Sequence, residues 1–356
     1  MPLDFPSSPT NGQYYNGFVY NAANDTWDSA YAPRAATIPI SSPNYVINGA
    51  FDIWQRGTSF TRGAGAGADY GSADRFKVGS FGAAPAVTLA RSTDLPADIG
   101  LQYSAAMSWA SSTSTGDVFL SHFIENGKYL FAGKTVTLSF YAKATNSVAV
   151  GVAIDQDYGG NNVTIGTSWS RYQLSWTLPT TYQSSRPSGS NASDNVELRL
   201  FRMANVSAAA NTITFTGVQL EEGAAPTTFR RNAPSIQAEL AACQRYYYRK
   251  IAEAGNGQLG FGNAENSAVA RMIVTLPVKM RTYPTTLEWS GTLDNYRLVS
   301  SAFSPAPTGL NFDPSYSNSQ EAVVAVTLTS GNITPGAFYR FIGNSPTAYV
   351  GFSAEL

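Results

Sequence analysis

Apolar and polar residues alternate along much of this chain. In KTVTLSFYAKA the alternation puts Val136, Leu138 and Phe140 on one face and Thr135, Thr137 and Ser139 on the other, the period of two that a half-buried strand requires. The same period runs through NVELRLFRM and NTITFTGVQL. From Asn44 to about Phe229 it predicts roughly nine or ten strands, broken by turn-rich stretches at RGAGAGADYGS, DYGGNN and PTTYQSSRPSGSNASDN. That spacing is the one expected of an antiparallel sandwich. No long helical pattern interrupts it, so a parallel α/β sheet is not expected.

One segment departs from this rule. APSIQAELAACQRYYYRK offers Ser235 as an N-cap and Ile236, Leu240, Cys243 and Tyr247 at helical spacing, with Arg249 and Lys250 complementing the far end of the dipole, so a helix is predicted over 233–250. Beyond it SAVARMIVTLP, NYRLVSS, EAVVAVTLTS, AFYRFIG and TAYVGFSAEL read as strands of a second, smaller sandwich. Ahead of Asn44 the hairpin-like YYNGFVYNAANDTWDS gives Phe18, Tyr20 and Trp27 a small apolar face. A core cannot be built from so little, so residues 1–40 read as a docking or assembly segment. The expectation is an all-β chain of two antiparallel β-sandwich domains: 1–40 for docking, 41–232 for the first sandwich, 233–250 for the linking helix and 251–356 for the second sandwich.

Charge narrows the function classes. The 356 residues are only 13% charged, with a net charge of −1 and no Lys/Arg run, which removes the electrostatic footprint of nucleic-acid binding. Six scattered Lys build no polybasic patch, and no apolar run is long enough to span a bilayer, so membrane insertion is not expected. The opening MPLDFPSSPTNGQYYNG shows neither the charged nor the apolar region of a secretory signal, so export by that route is not expected either. Cys243 and His122 are the only Cys and His, which excludes an intrachain disulfide and a His-rich zinc site. A Cys–His nucleophile would have to join a predicted helix to a predicted strand, so Cys243 reads as a small buried apolar residue and His122 as one position on a sheet face.

Several motifs invite chemistry. Gly255-Asn256-Gly257-Gln258-Leu259-Gly260 matches G-x-G-x-x-G, but a helix precedes it and a strand follows, the reverse of the dinucleotide fingerprint. Asp155-Gln156-Asp157-Tyr158-Gly159-Gly160 opens like a calcium loop yet has Gly166 at its twelfth position, so the EF-hand reading fails; a looser calcium site with Asn161 or Asn162 stays open. Asp69, Asp74, Asp155, Asp157, Glu221 and Glu222 show no spacing that pairs two carboxyl groups for glycoside hydrolysis, and no G-x-S-x-G elbow occurs, so catalysis is not expected. Loop aromatics beside neutral polar groups are what a saccharide surface needs, because rings cover C–H patches while amides take hydroxyls. On that basis Tyr158, Tyr182, Tyr296, Asn311, Phe312, Asp313 and Tyr316 are the candidate glycan contacts, with Phe18, Tyr20 and Trp27 at the docking end.

NYVINGAFDIWQRGTSF, then ADRFKVG, then FTGVQLEEGAAPTTFRRNAPSIQAELAACQRYYYRK resemble, in that order, the distal part of bacteriophage tail-fibre and receptor-binding proteins. LPVKMRTYPTT and the final GFSAEL are similar to the fibre domain that follows such a helix, and PLDFPSSPTNGQYYNGFVYNAANDTWDS resembles particle-proximal segments of fibres from phages of cyanobacteria and marine bacteria. The resemblance implies a jelly roll like that of carbohydrate-binding modules over 41–232, a linking helix and a terminal sandwich, 251–356, that serves as the receptor-binding tip. It also implies a homotrimer carried on the virion tail or baseplate and attached to host polysaccharide or lipopolysaccharide. Some relatives of the jelly roll hold structural calcium on carboxylates of the first and last strands, here the neighbourhoods of Asp52 and of Glu221 or Glu222, although GVQLEEG replaces the usual Asp pair. No other cofactor is implied. A tailspike-type depolymerase, or a baseplate or neck component without receptor contact, is the competing expectation.

Overall fold

A computed structural model describes residues 5–15, 18–29, 44–111, 116–155, 160–181, 194–203, 210–300 and 305–356. The chain forms two compact units, Met1–Ser42 and Pro43–Leu356. In the first, Tyr14–Tyr15, Phe18–Asn21 and Thr26–Ser29 make a three-stranded antiparallel sheet. The aromatic rings gather on it: Phe5 stacks on Trp27 at 5.0 Å and meets Phe18 edge-on at 5.4 Å, and Tyr20 lies 5.4 Å from Trp27. None of the described residues of this unit whose side chain is placed is buried, so the cluster stays half-exposed.

The second unit is nearly all β. Twelve strands among its described residues, between Ser59 and Glu222, form two six-stranded antiparallel sheets. One runs Ser170–Thr177, Thr135–Ala144, Asn211–Glu222, Ser104–Trp109, Val87–Ser92, Ser59–Arg62; the other runs Gly160–Ile165, Val148–Ile154, Asn195–Met203, Asp117–Glu125, Phe76–Phe81, Gly67–Asp69. Because the chain passes repeatedly from one sheet to the other, no pair of sequence halves owns a sheet, which is the wrapping of a jelly roll. Val136, Leu138 and Phe140 are fully buried between the sheets with Leu198, Leu200, Ile213 and Phe215, as their alternation requires.

On the polar side of Thr135–Ala144, Thr137 and Ser139 are buried as well. Residues 223–231 cross over this sheet and take up its outward groups: Thr137 donates to the Gly223 carbonyl at 2.6 Å, the Thr227 amide donates to Glu221 at 2.8 Å, and the Arg230 amide donates to Gln219 at 2.8 Å. Glu221 is thereby buried at 1% exposure with its oxygens occupied, which is the condition under which a carboxylate can leave water.

Strands Tyr247–Ile251, Tyr349–Ser353 and Thr286–Trp289 form a three-stranded sheet facing a six-stranded one in the order Tyr296–Val299, Phe338–Gly343, Gly257–Ala264, Val269–Thr275, Glu321–Thr327, Gly309–Phe312. Met272, Val274, Leu298, Val324, Phe341 and Phe352 fill a second core between them. The helix is shorter than its pattern suggests. It spans Ile236–Gln244, capped by Ser235 Oγ accepting from the Ala238 amide at 3.2 Å, and buries Glu239 and Cys243 while Ile236 is exposed. Tyr247, Arg249 and Lys250 instead belong to the strand that pairs with Tyr349–Ser353, because three successive tyrosines favour a pleated, half-buried surface. A five-residue helix, Gly127–Phe131, adds to the first sandwich.

The two sandwiches are joined by buried charge. Arg56 lies 3.3 Å over the Tyr247 ring and pairs with Glu288 at 3.1 Å; Arg75, fully buried, lies 3.5 Å over Tyr246, pairs with Glu355 and donates to the Phe123 carbonyl at 2.7 Å. Gln55 bridges Asp74 and the Tyr247 carbonyl, and Arg245 binds Glu125 at 2.8 Å. Guanidinium groups suit this role because they stack on rings and fork to carboxylates at once.

Candidate functional site

The second jelly-roll sheet keeps part of its outward face open, and an irregularity in one strand shapes it. Along Asn195–Met203, Val196, Leu198 and Leu200 point into the core, so strict alternation would send Phe201 out and Arg202 in. A bulge reverses this. Phe201 takes a left-handed backbone at φ 52° and buries its ring 4.5 Å from Phe215 and 5.2 Å from Phe140, while the pairing with Asp117–Glu125 shifts between Leu200 and Met203. Arg202 therefore emerges on the same face as Arg199. A non-glycine residue held there costs on the order of 1–2 kcal/mol, and such strain concentrates where a side chain must be aimed.

The two arginines pair in register with Gly151 and Ala153 of the neighbouring strand, whose small side chains leave a groove of about 530 Å³. Asn162, pairing with Gly151 from the edge strand, forms one rim, and Phe81, 45% exposed, forms the other. Phe81 is propped by Phe119, ring to ring at 4.7 Å, and Phe119 lies flat because Gly79 beneath it has no Cβ; one there would sit 2.2 Å from the ring. Arg199 is stacked 4.7 Å from Phe119 and held by Glu197 at 2.6 Å, which also accepts from Ser121. Arg202 forks onto Asp117 at 3.0 and 2.7 Å. The result is a fixed aromatic platform beside donors and acceptors of both kinds, on a floor without side-chain bulk. Such a surface can cover the C–H face of a sugar ring and bond its hydroxyls.

The residues singled out in the sequence divide into four groups. Tyr158 and Tyr182 lie outside the described residues, as do residues 156–159 of the calcium loop, while Asn161 and Asn162 belong to the strand Gly160–Ile165. Tyr296 must be withdrawn as a surface contact: it is fully buried, stacks on Phe341 at 5.6 Å and donates to the Tyr349 carbonyl at 2.7 Å, because its strand position faces the second core. Phe312 is likewise turned inward, half-buried and 6.5 Å from Phe352. Asn311, Asp313 and Tyr316 do reach the surface of the C-terminal sandwich, where Asp313 holds Arg271 at 2.9 Å and Arg271 lies 4.3 Å over the Tyr316 ring. Phe18, Tyr20 and Trp27 form the half-exposed cluster of the N-terminal unit. Sequence reasoning missed Phe81, Arg199 and Arg202. The signal for the arginines was present as adjacent apolar residues, Leu200-Phe201, inside an otherwise alternating run.

The carboxylates of the calcium neighbourhood are engaged separately. Asp52 binds Arg231 at 2.7 Å, Glu221 binds Thr227, and Glu222 takes Lys134 at 2.6 Å and the Tyr45 hydroxyl at 2.7 Å. Among the described residues no three His, Cys, Asp or Glu side chains stand together as a metal-binding group. His122 donates from Nε2 to the Ile47 carbonyl at 3.2 Å; burial, aided by the nearby Arg75 charge, pushes its pKa well below the ordinary value. Burial pushes the Cys243 thiol up, so at neutral pH both groups are uncharged and neither is poised for nucleophilic chemistry.

No protein-family profile matches the chain, and no curated protein sequence does. Among solved structures, a CBM4 structure is 17% identical over 50% of this chain and 99% of its own, with a TM-score of 0.29. The family 11 carbohydrate-binding module of the cellulosomal cellulase Lic26A-Cel5E of Clostridium thermocellum is 15% identical over 44% of this chain and 96% of its own, TM-score 0.29. The enzymatically active domain of bacteriophage CBA120 tailspike protein 4 is 15% identical over 42% of this chain and 19% of its own, TM-score 0.28. At these values the likenesses are too slight to bear on function.

Proposed function

We propose that this chain is a non-catalytic attachment protein of a phage tail whose first sandwich binds host-surface saccharide in the Phe81–Arg202 groove. The open groove carries the reading: the bulge that buries the Phe201 ring also turns Arg202 out beside Arg199, so two guanidinium groups and the exposed Phe81 ring share one face over a floor without bulk. Glu197 and Asp117 are each held by an arginine, an arrangement suited to hydrogen bonding of hydroxyls rather than to proton transfer. The N-terminal unit, with its half-exposed rings, docks to the tail or baseplate, and the chain assembles as a homotrimer, so that weak single sites add through avidity. Structural calcium, where the wider fold carries it, belongs to the scaffold and has no part in this binding.

A printed array of neutral and acidic glycans, probed with the full chain, tests the proposal. Phe81→Ala with Arg202→Ala is expected to abolish the array signal while lowering stability by no more than about 1 kcal/mol, read from the urea midpoint. Unchanged binding by that double variant would overturn the assignment. Light scattering is expected to give three times the 38.0 kDa chain mass. Deleting residues 1–42 should leave glycan binding intact and prevent incorporation into particles.

A further inference from the structure

The open face of the C-terminal six-stranded sheet carries a second concavity, about 500 Å³, that the Phe81–Arg202 groove does not include. Strand register assembles it from two cross-strand rows. Phe261, Ile273 and Val323 lie opposite one another as an apolar floor; two residues further along on the same face, Asn263, Arg271, Ala325 and Asn311 form a row carrying two amides and a guanidinium. Tyr316 stands beside this row at 59% exposure.

An exposed tyrosine is ordinarily mobile, yet this one is fixed from several directions. It ends the short 3₁₀ turn Pro314–Tyr316, which the Asp313 carboxylate caps by accepting from the Ser315 amide at 3.2 Å. The Asp313 amide is tied to the Val323 carbonyl at 2.9 Å, and Ser317 Oγ donates to the Asp313 carbonyl at 2.7 Å while accepting from the Val323 amide at 2.9 Å. Arg271, itself clamped between Glu265 and Asp313, lies against the ring. A rigid, solvent-facing ring loses little entropy on contact, which is what makes aromatic anchors effective.

We infer that this concavity is a second saccharide site, in which one pyranose stacks on Tyr316 over the Ile273–Val323 floor and its hydroxyls engage Asn263, Arg271 and Glu265. The inference rests on the reading of the chain as a glycan binder and makes each chain bivalent. A peptide is disfavoured because this is a sheet face: the backbone groups beneath it are used in the strand ladders, so an extended chain finds no main-chain partners, whereas a sugar needs only rings and side-chain polar groups.

The test uses the full chain with its tyrosines replaced by 3-fluorotyrosine, the Tyr316 resonance being assigned as the one missing from Tyr316→Phe. Cellopentaose, laminaripentaose, xylopentaose and N-acetylchitotetraose are titrated in turn, into wild type and into the Phe81→Ala/Arg202→Ala variant. The expected result is a saturable shift of the Tyr316 resonance that persists in the groove variant, with Tyr316→Ala weakening it about tenfold. A saccharide that binds wild type but leaves Tyr316 unmoved overturns the second site and spares the first. Silence at every tyrosine and no heat of binding with any of the four overturns both. A Tyr316 shift that follows protein concentration instead of saccharide also overturns it, in favour of an interface between copies.

Discussion

The two sheets of the first sandwich present opposite outer faces. On one, Thr137, Ser139, Gln219 and Glu221 are all but removed from water; the crossing segment 223–231 supplies partners to Thr137, Gln219 and Glu221, and Arg171 donates to Ser139 at 3.0 Å. On the other, polar groups are satisfied mainly by their own neighbours, Arg199 by Glu197 and Arg202 by Asp117, with Phe81 left in solvent. A strand interior reads the same in both sheets. What separates scaffold from working surface is whether a later piece of chain arrives to cover the polar side.

The sharpest way to break the comparison is to remove one polar group from each face. Glu221→Ala takes the acceptor from the Thr227 amide and from one N–H of Gln219 and is expected to cost about 2–3 kcal/mol, read as a lower urea midpoint, with glycan binding unchanged per folded molecule. Gly79→Ala drives a methyl into the Phe119 ring and should cost about 1–3 kcal/mol while also displacing Phe81, so stability and binding fall together. Arg202→Ala, from the open face, is expected to change stability by less than about 1 kcal/mol and to weaken binding about tenfold by calorimetry.

The smallest expected effect lies between the sandwiches. Burial raises Asp74 to about 6, with Gln55 and Arg56 opposing and Glu355 assisting, whereas His122 is pushed down. Folded protein therefore binds a proton at Asp74 more tightly than unfolded protein does, and stability from this group rises as pH falls from about 6 towards 4. His122 works in the other direction: the unfolded imidazole gains a proton below about 6.5 that the folded one refuses, so acidification destabilises. Each slope is at most about 1.4 kcal/mol per pH unit, and they offset. The urea midpoint is expected to be nearly flat from pH 6.5 to 5 in wild type and to fall with acid in Asp74→Asn. A flat profile in that variant would mean that His122 is not excluded from protonation.

Much of the architecture was legible because period-two alternation, as in Thr135–Ala144, directly reports which side chains enter a core. The helix was misjudged at its end because Tyr247 satisfies both periods, and only the partner strand Tyr349–Ser353, a hundred residues away in sequence, decides between them. Tyr296 was mistaken for a surface ring for a related reason: the alternation of a four-residue strand is too short to show which face is inward. That Asp313 and Tyr316 lie at the surface was legible because turn chemistry is local. Phe81 and Arg199 were not, since their meeting depends on pairing across separate strands, and nothing nearby in sequence announces it.

Main-chain groups of the inner strands beneath the Phe81–Arg202 groove pair in the ladders, so the surface it exposes consists largely of side chains at alternate positions. The inward set keeps the sandwich folded while the outward set meets the environment, and substitutions in one scarcely constrain the other. Residues such as Phe81, Asn162 and Arg202 can therefore be exchanged over generations as surface chemistry in the surroundings changes, with the scaffold inherited unaltered beneath them.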